Sequence, residues 1–541
     1  MKLLVGRQFD DLDVQRELSL APFKAVKLPG GGVGIVVLYN DEEKVLSAEH
    51  FMAMMLGKAK DIGTKANGGV NIADTVFAVP HWYTESQRRG ILHACEIAGL
   101  NCLKVTNESN AIALSYGIFK SAKKLFSETD PAHVMFVDIG YTGYSVTIVD
   151  FIQENMRVLS TVCDRELGGR NFDNIIIEFM AEHFEKKTKI NVRNNIKAVL
   201  KLQAAAEKAK KTLSPAGVNE ANISVECLAE DIDLSVILSK EELEKRAAPL
   251  VSRLRAPIEQ ALIEAKLSKE NISEVEILGG SSRINIIKRT LSDILGLDTS
   301  AMNYGLKTTM NADEAVARGG ALQCAMLSSR MKVKPFNIVD KIPYGIVAHF
   351  EGSTAVSSAD TEAAGDSEQS KGSSVSLYSR NGDLPHKPRR LTFHNKSSDF
   401  TITVAYDDAA VQILPPGESR FLGRYKIKVP PTAPQMNDIR VTWNLDKNGF
   451  VYVQSAQLLE EVKLSAEEEQ QAAEKEAKEK DAKDESAGSK KRFKKTDLEV
   501  TLLFSSLCSH NDQSICVGLG GVAWTHQGSN KSFDRSGDRD G

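Results

Sequence analysis

The 541-residue chain contains no run of the roughly 18 apolar residues needed to span a bilayer, and its first residues lack a signal peptide's apolar core, which predicts a soluble protein. Cysteine is scarce. The seven present (Cys95, Cys102, Cys163, Cys227, Cys324, Cys508 and Cys516) are odd in number, scattered and never in a C-x-x-C pair. That argues against a disulfide frame or zinc site and for reduced packing thiols in an intracellular compartment. Neither sign of charge is in excess: 68 basic against 72 acidic residues leave a net charge of −4, without the basic stripe of a general nucleic-acid binder. What is present is apolar material for large cores, 42% of the chain. At about 100–200 residues per domain, the length implies three or more units.

Residues 1–330 alternate β-rich runs with amphipathic helical stretches, the pattern of α/β layers. The opening Met1-Lys2-Leu3-Leu4-Val5-Gly6 reads like the interior of a domain already under way. Thr75–Pro80 is a strand; Thr84-x-x-Gln87 is a capping box opening a helix that closes at Gly99. Cys102–Val105 is a second strand, leading into a small-residue helix that ends at Gly117. Val134–Val137 runs into Asp138-Ile139-Gly140, and Tyr144–Val149 returns, which makes a hairpin with an acid and a glycine at its tip. A Lys/Ala-rich helix covers about 193–214, and Glu274–Leu278 is a strand entering Gly279-Gly280-Ser281-Ser282-Arg283.

After Met331 the pattern becomes period-two, with Phe400, Ile402, Val404 and Tyr406, then Ile439, Val441, Trp443 and Leu445, and Asn448-Gly449 as a turn. Residues 331–464 therefore predict an all-β sandwich. Within it, 351–373 reads as an acidic disordered loop, since residues 351–370 carry five acids and no Lys or Arg. Residues 465–541 read as a charged low-complexity linker and disordered tail. The i,i+4 pairs Glu474–Lys478, Glu476–Lys480 and Glu479–Lys483 support at most a transient helix.

Chemistry concentrates at Asp138-Ile139-Gly140-Tyr141-Thr142-Gly143. A carboxylate at a strand tip can hold hydrated Mg²⁺, and the N–H groups of a tight glycine turn can approach phosphate oxygens. Most strand-Asp-x-Gly turns are merely structural. Gly168-Gly169 and Gly279-Gly280 are two further places where backbone can approach a ligand, although such glycines more often serve turns or packing. Glu207, Lys210, Lys211 and Ser214 fall on one helical face, which suits either an adenosine or plain solvent. Arg283 can stack on a base or lie free at the surface.

Taken together and in order, these segments resemble the heat-shock-protein-seventy superfamily. The blocks that carry the likeness are Leu4–Asp11, Val79–Tyr83 with Ala98–Leu100, Asn107–Gly117, Leu167–Asp173, and Leu278–Ile284 with Asp313–Ala317. Tyr141-Thr142-Gly143 stands where typical members carry Gly-Gly-Thr. With the acidic loop and the long charged run, that departure is similar to the large, hundred-and-ten-kilodalton branch.

The resemblance implies an α/β actin-like ATPase domain over 1–330, a β-sandwich peptide-binding domain and a low-complexity tail in place of a helical lid. It implies that the actin-like lobe lacks its first strands, because the family's first phosphate hairpin would lie upstream of Lys2. It assigns Lys2, Glu108 and Asp138 to catalysis, Asp138 and water-linked Glu108 to Mg²⁺, and Gly140, Tyr141, Thr142, Gly168, Gly169, Arg170, Glu207, Lys210, Lys211, Ser214, Gly279, Gly280, Ser281, Arg283 and Asp313 to ATP or ADP. Gly143 and the missing hairpin imply weak or absent ATP hydrolysis. The implied role is nucleotide exchange for a seventy-kilodalton partner chaperone and holding of unfolded polypeptide clients, in the cytoplasm or nucleus, without nucleic acid or membrane. A nucleotide-independent peptide-holding module and an ATP-driven foldase are the alternatives.

Overall fold

The computed structural model describes residues 1–215, 217–334, 336–350, 356–358, 373–431, 438–461 and 493–505. Helix α1 (Leu12–Ser19) precedes an antiparallel sheet of β1 (Ala25–Lys27), β2 (Val33–Tyr39) and β3 (Glu42–Ser47), followed by helix α2 (Ala48–Ala66). The parallel strands β4 (Asp74–Val79) and β5 (Asn101–Asn107) are joined through α3 (Glu85–Ile97), and α4 (Glu108–Ala122) leaves the end of β5. The capping box forms as read: Thr84 Oγ1 accepts the Gln87 N–H while Gln87 Oε1 accepts the Thr84 N–H, fixing where α3 starts.

Strands β6 (Ala132–Ile139), β7 (Tyr144–Ile152) and β8 (Asn155–Asp164) form an antiparallel meander. Along β6, Met135, Val137 and Ile139 enter one apolar cluster while Val134 and Phe136 enter another. Both faces are buried, which is why this strand reads as a continuous apolar run and not as an alternation. Helices α5 (Gly169–Thr188) and α6 (Ile196–Leu213) follow, then the hairpin of β9 (Glu220–Ala229) and β10 (Ile232–Ser239), then α7 (Lys240–Ser252) and α8 (Arg255–Ala265). Strand β11 (Glu274–Leu278) lies parallel to β6, and α9 (Asn285–Leu295) and α10 (Ala315–Leu327) complete this part. Among the described residues no helix is long and apolar enough to cross a membrane.

Helix α10 packs so closely on α4 that a Cβ on Gly319 would lie 1.8 Å from the Ala111 carbonyl oxygen. Backbone cannot yield as a side chain does, so Gly319→Ala should destabilise the chain by about 2–3 kcal/mol. Gly57 in α2 has nothing within 4 Å of its Cβ position. There Ala should stabilise by about 0.5–1 kcal/mol through helix propensity alone. Thermal unfolding of the two variants checks the opposite signs.

The remaining strands are β12 (Asn337–Lys341), β13 (Ile346–Phe350), β14 (Val356–Ser358), β15 (Ser374–Tyr378), β16 (Asp383–Leu384), β17 (Arg389–Phe393) and β18 (Phe400–Tyr406). They continue through β19 (Phe421–Ile427), β20 (Asp438–Leu445), β21 (Val451–Glu461), β22 (Phe493–Asp497) and β23 (Val500–Ser505). Two five-stranded sheets result, ordered β15-β13-β18-β19-β23 and β14-β17-β20-β21-β22. Their alternating residues, Ile402 and Val404 from one and Leu391, Val441 and Trp443 from the other, share one core.

Three features differ from the sequence reading. Strand β12 pairs with β8 and β16 with β12, so the sheet built on β6–β8 runs β11-β6-β7-β8-β12-β16 past the boundary expected at 331. Within the supposed acidic loop, Val356–Ser358 pairs with β17; residues 351–355 and 359–372 lie outside the described residues. The stretch 493–505, assigned to a disordered tail, supplies β22 and β23. Lys and Asp in and beside these edge strands disguise them in the sequence, while Leu498 and Val500 pack on the core. The i,i+4 pairs and the tail after residue 505 lie outside the described residues.

The two sheets sit against the first turn of α3. The Glu85 N–H donates to Tyr406 Oη at 2.9 Å, Ser86 Oγ to Glu418 at 2.5 Å, and Arg7 to the Pro416 carbonyl at 2.9 Å. Asn448, in the expected turn, accepts the Val105 N–H at 2.9 Å.

Candidate functional site

The β6–β7 hairpin places Asp138 opposite Ser145, and its tip closes with the Gly140 N–H donating to the Gly143 carbonyl at 2.9 Å. Two loops clasp this tip. The Gly140 carbonyl accepts both the Gly169 N–H at 3.0 Å and Ser281 Oγ–H at 2.9 Å, and the Arg170 N–H donates to the Tyr141 carbonyl at 2.9 Å. The loop glycines are required by contact. A Cβ on Gly168 would meet the Tyr141 carbonyl at 2.5 Å, and one on Gly279, which has φ 76°, would lie 2.3 Å from the Ile139 carbonyl and 2.5 Å from Asp138 Oδ1.

Two cavities open on either side of Tyr141. The smaller, about 130 Å³, is lined by Lys2, Glu108, Asp138, Gly140, Thr142 and Gly143, together with His81, Trp82 and Cys163. Burial, reinforced by the neighbouring Glu108 charge and opposed by Lys2, pushes the Asp138 carboxyl up to about 7. Burial also raises Glu108, against the pull of Lys2. The same burial, with both carboxylates nearby, pushes the Cys163 thiol up to about 12, so it stays protonated. His81 is lowered to about 3 by burial and by Arg88 and Arg380, and its Nδ1 has no partner among the described residues.

The larger cavity, about 880 Å³, is lined by Glu207, Lys210, Lys211, Ser214, Gly280, Ser281 and Arg283, and also by Lys288, Asn303 and Tyr304. Lys210 is held by Asp173 at 2.8 Å and the Gly169 carbonyl at 3.1 Å, and its ammonium lies 5.5 Å from the Tyr141 ring centre. Lys211 pairs with Glu207 at 2.7 Å, which lowers that carboxyl.

The fold thus brings thirteen of the eighteen sequence-derived site residues to the walls of these cavities: Lys2, Glu108, Asp138, Gly140, Tyr141, Thr142, Glu207, Lys210, Lys211, Ser214, Gly280, Ser281 and Arg283. Gly168, Gly169 and Gly279 stand behind the hairpin as its supports. Arg170 turns away to pair with Glu17 of α1 at 2.6 Å, and Asp313 is exposed and pairs with Arg283 at 2.6 Å. Sequence reasoning missed His81, Trp82, Cys163, Asn303 and Tyr304 as wall residues. Asn303 and Tyr304 hold consecutive positive φ angles, 53° and 59°, that no periodicity announces.

This donor set fits a nucleotide with a divalent cation. Among the described residues no three His, Cys, Asp or Glu side chains converge as direct ligands. A cation held by Asp138 and Glu108 would keep much of its water, as Mg²⁺ does beside one or two carboxylates.

The Hsp70 protein family model matches residues 1–515. The chain is 36% identical over 469 residues to the 97 kDa heat shock protein of Strongylocentrotus purpuratus, covering 86% of this chain and 49% of that protein. It is 35% identical over 465 residues to Heat shock 70 kDa protein 4 of Homo sapiens, covering 86% and 52%. With a heat shock protein homolog of Eremothecium gossypii it shares 34% over 467 residues, covering 86% and 63%. The chain spans about half the length of the first of these relatives. The resemblance read from the sequence is borne out, and a match of this extent makes the chain a member of the Hsp70 family.

Proposed function

We propose that the chain binds ATP or ADP with Mg²⁺ in the cleft around Tyr141, acts as a nucleotide-exchange factor for a seventy-kilodalton partner chaperone, and holds unfolded polypeptides. The observation that carries this reading is the meeting of two chemically different cavities at one hairpin. One pairs two carboxylates with Lys2, suiting Mg²⁺ and phosphates; the other sets a helix face and Arg283 around a space large enough for a nucleoside. Mg²⁺, when bound, neutralises phosphate charge. Asp138 and Glu108 would hold its waters, the hairpin N–H groups would face phosphate oxygens, and Arg283 would cover the base.

Gly143 has no hydroxyl to offer near the terminal phosphate, so slow turnover goes with this reading. The two five-stranded sheets form the β-sandwich that would capture extended apolar segments. Because they sit on α3, a ligand that favours one arrangement of the cleft can bias the surface shown to a partner, to the extent of its differential affinity.

Calorimetry should register binding of ATP and ADP, and adding the chain should speed ADP release from a seventy-kilodalton chaperone while suppressing client aggregation. Aggregation suppressed with no nucleotide heat would leave only the holding module. Steady-state phosphate release that disappears in Asp138→Asn would favour the foldase instead.

A further inference from the structure

Three polar side chains from three neighbouring strands meet on the sheet β14-β17-β20-β21-β22. Val356, Phe393 and Ile439 stand in one row across β14, β17 and β20, and all three are buried in the sandwich core. Side chains alternate along a strand, so the adjoining positions Ser357, His394 and Asp438 turn to the outer face. Continuing the register, His394, one past Phe393, stands opposite Asp438, one before Ile439, and Ser357 approaches His394 on the diagonal. A hydroxyl, an imidazole and a carboxylate are thereby brought into line: Ser357 Oγ lies 2.8 Å from His394 Nε2, and Asp438 Oδ1 lies 2.9 Å from His394 Nδ1. The imidazole is 26% exposed, open enough to meet a solute. On the same face Ser357 and Arg440 flank Thr392 in the register, and Arg440 Nε is buried with no hydrogen-bond partner among the described residues.

We propose that Ser357, His394 and Asp438 form a nucleophilic triad on this outer face that cleaves small carboxylic esters, an activity separate from nucleotide exchange and client holding. A triad is defined by the geometry of nucleophile, base and orienting acid, not by their order in the chain. Asp438 beside Nδ1 favours the tautomer with its proton there, which leaves the Nε2 lone pair facing the serine hydroxyl. Ser357 Oγ attacks the ester carbonyl carbon, the carbonyl π pair moves to oxygen, and the Oγ proton passes to His394 Nε2. When the adduct collapses, the bond to the alkoxide breaks, and the alkoxide takes the Nε2 proton and leaves as an alcohol. Water then attacks the acyl-serine and gives its proton to Nε2; Ser357 Oγ takes that proton back as the carboxylic acid departs. One ester and one water become one acid and one alcohol. Arg440 supplies the face with a cation toward which the developing oxyanion is drawn.

A simple brace across three strands would hold the same atoms yet leave Ser357 no more reactive than any other serine, and reagent chemistry on the full chain separates the two. A fluorophosphonate, which phosphonylates activated serines, should label Ser357 within the tryptic peptide Ile342–Lys371, whose other serines serve as internal controls. Unfolding the chain in urea beforehand should abolish the labelling. With p-nitrophenyl acetate, the wild type should release p-nitrophenolate about a hundredfold or more faster than Ser357→Ala or His394→Ala. Asp438→Asn should slow release by about tenfold or more, because the imidazole loses its orienting carboxylate. The proposal is overturned if the wild-type peptide stays unlabelled while a parallel sample of trypsin is labelled, a reading that no variant's folding can disturb. It is equally overturned if His394→Ala is labelled at Ser357 as fast as the wild type, or if labelling of the wild type survives urea.

Discussion

Replacing Arg88 with alanine should loosen the seat between α3 and the two five-stranded sheets by about 3–5 kcal/mol, the loss typical when one partner of a buried charged network is removed. Arg88 is 6% exposed. It donates to the Tyr83 carbonyl at 3.2 Å, to Asn107 Oδ1, and at 3.5 Å to the Asn448 carbonyl across the seat. Asn107 in turn donates to the Asp340 carboxylate on β12 at 2.8 Å. Burial raises Asp340, and the charges of Lys104 and Arg88 hold it down. Without Arg88, Asp340 keeps one cation fewer and three acceptors lose their donor. A chain of several units need not unfold in one step. The reading is therefore local: amide exchange in α3 and β20–β21 should accelerate about a hundredfold or more. Adding Asp340→Asn should cost less in the Arg88→Ala background than in the wild type, because the two charges belong to one network. Equal costs in both backgrounds would show that Arg88 and Asp340 act independently.

This network marks where legibility in the sequence ends. The α3 cap, the β6–β7 hairpin and the period-two strands were readable because each is decided by residues a few positions apart. Thr84 needs only Gln87, and Asp138 sits at a tip whose two strands announce themselves. The helical face of Glu207, Lys210, Lys211 and Ser214 could be drawn from spacing alone. Arg88, Asn448 and Glu418 gave no such signal, since their partners across the seat lie hundreds of positions away and become neighbours only when the sheets dock. Arg170 and Asp313 show the converse. Each sits in a family-like motif, yet its side chain is claimed by a nearby opposite charge, Glu17 or Arg283, that spacing does not reveal. Strands β22 and β23 were hidden because edge strands tolerate Lys and Asp, and composition alone cannot separate such an edge from a solvated linker.

Asp138 offers the other large effect, and its sign differs between the empty and the loaded protein. In the empty chain its carboxyl is raised from an ordinary 3.8 to about 7 by burial, the Glu108 charge adding to the shift and Lys2 opposing it. The folded state therefore binds a proton more tightly than the unfolded state between those values. The site's contribution to stability is full below about pH 4 and is lost as pH rises through about 7. Asp138→Asn, which has no proton to lose, should make the nucleotide-free protein more stable at pH 8 and change little at pH 4. Mg²⁺ needs the opposite form, because only the deprotonated carboxylate attracts it. Mg²⁺-dependent nucleotide affinity should hold above pH 7 and fall by up to about tenfold per pH unit below it, since one pH unit past the pKa removes a tenfold share of the charged form. In Asp138→Asn both the affinity gained from Mg²⁺ and this pH slope should vanish. Lys2→Ala should move the slope to higher pH, since the cation opposing the upward shift is gone. Calorimetric titrations from pH 6 to pH 8, with Mg²⁺ and with a chelator, measure each quantity. A variant that loses stability at pH 8 while keeping the slope would make Asp138 a strut of the hairpin and move cation binding elsewhere.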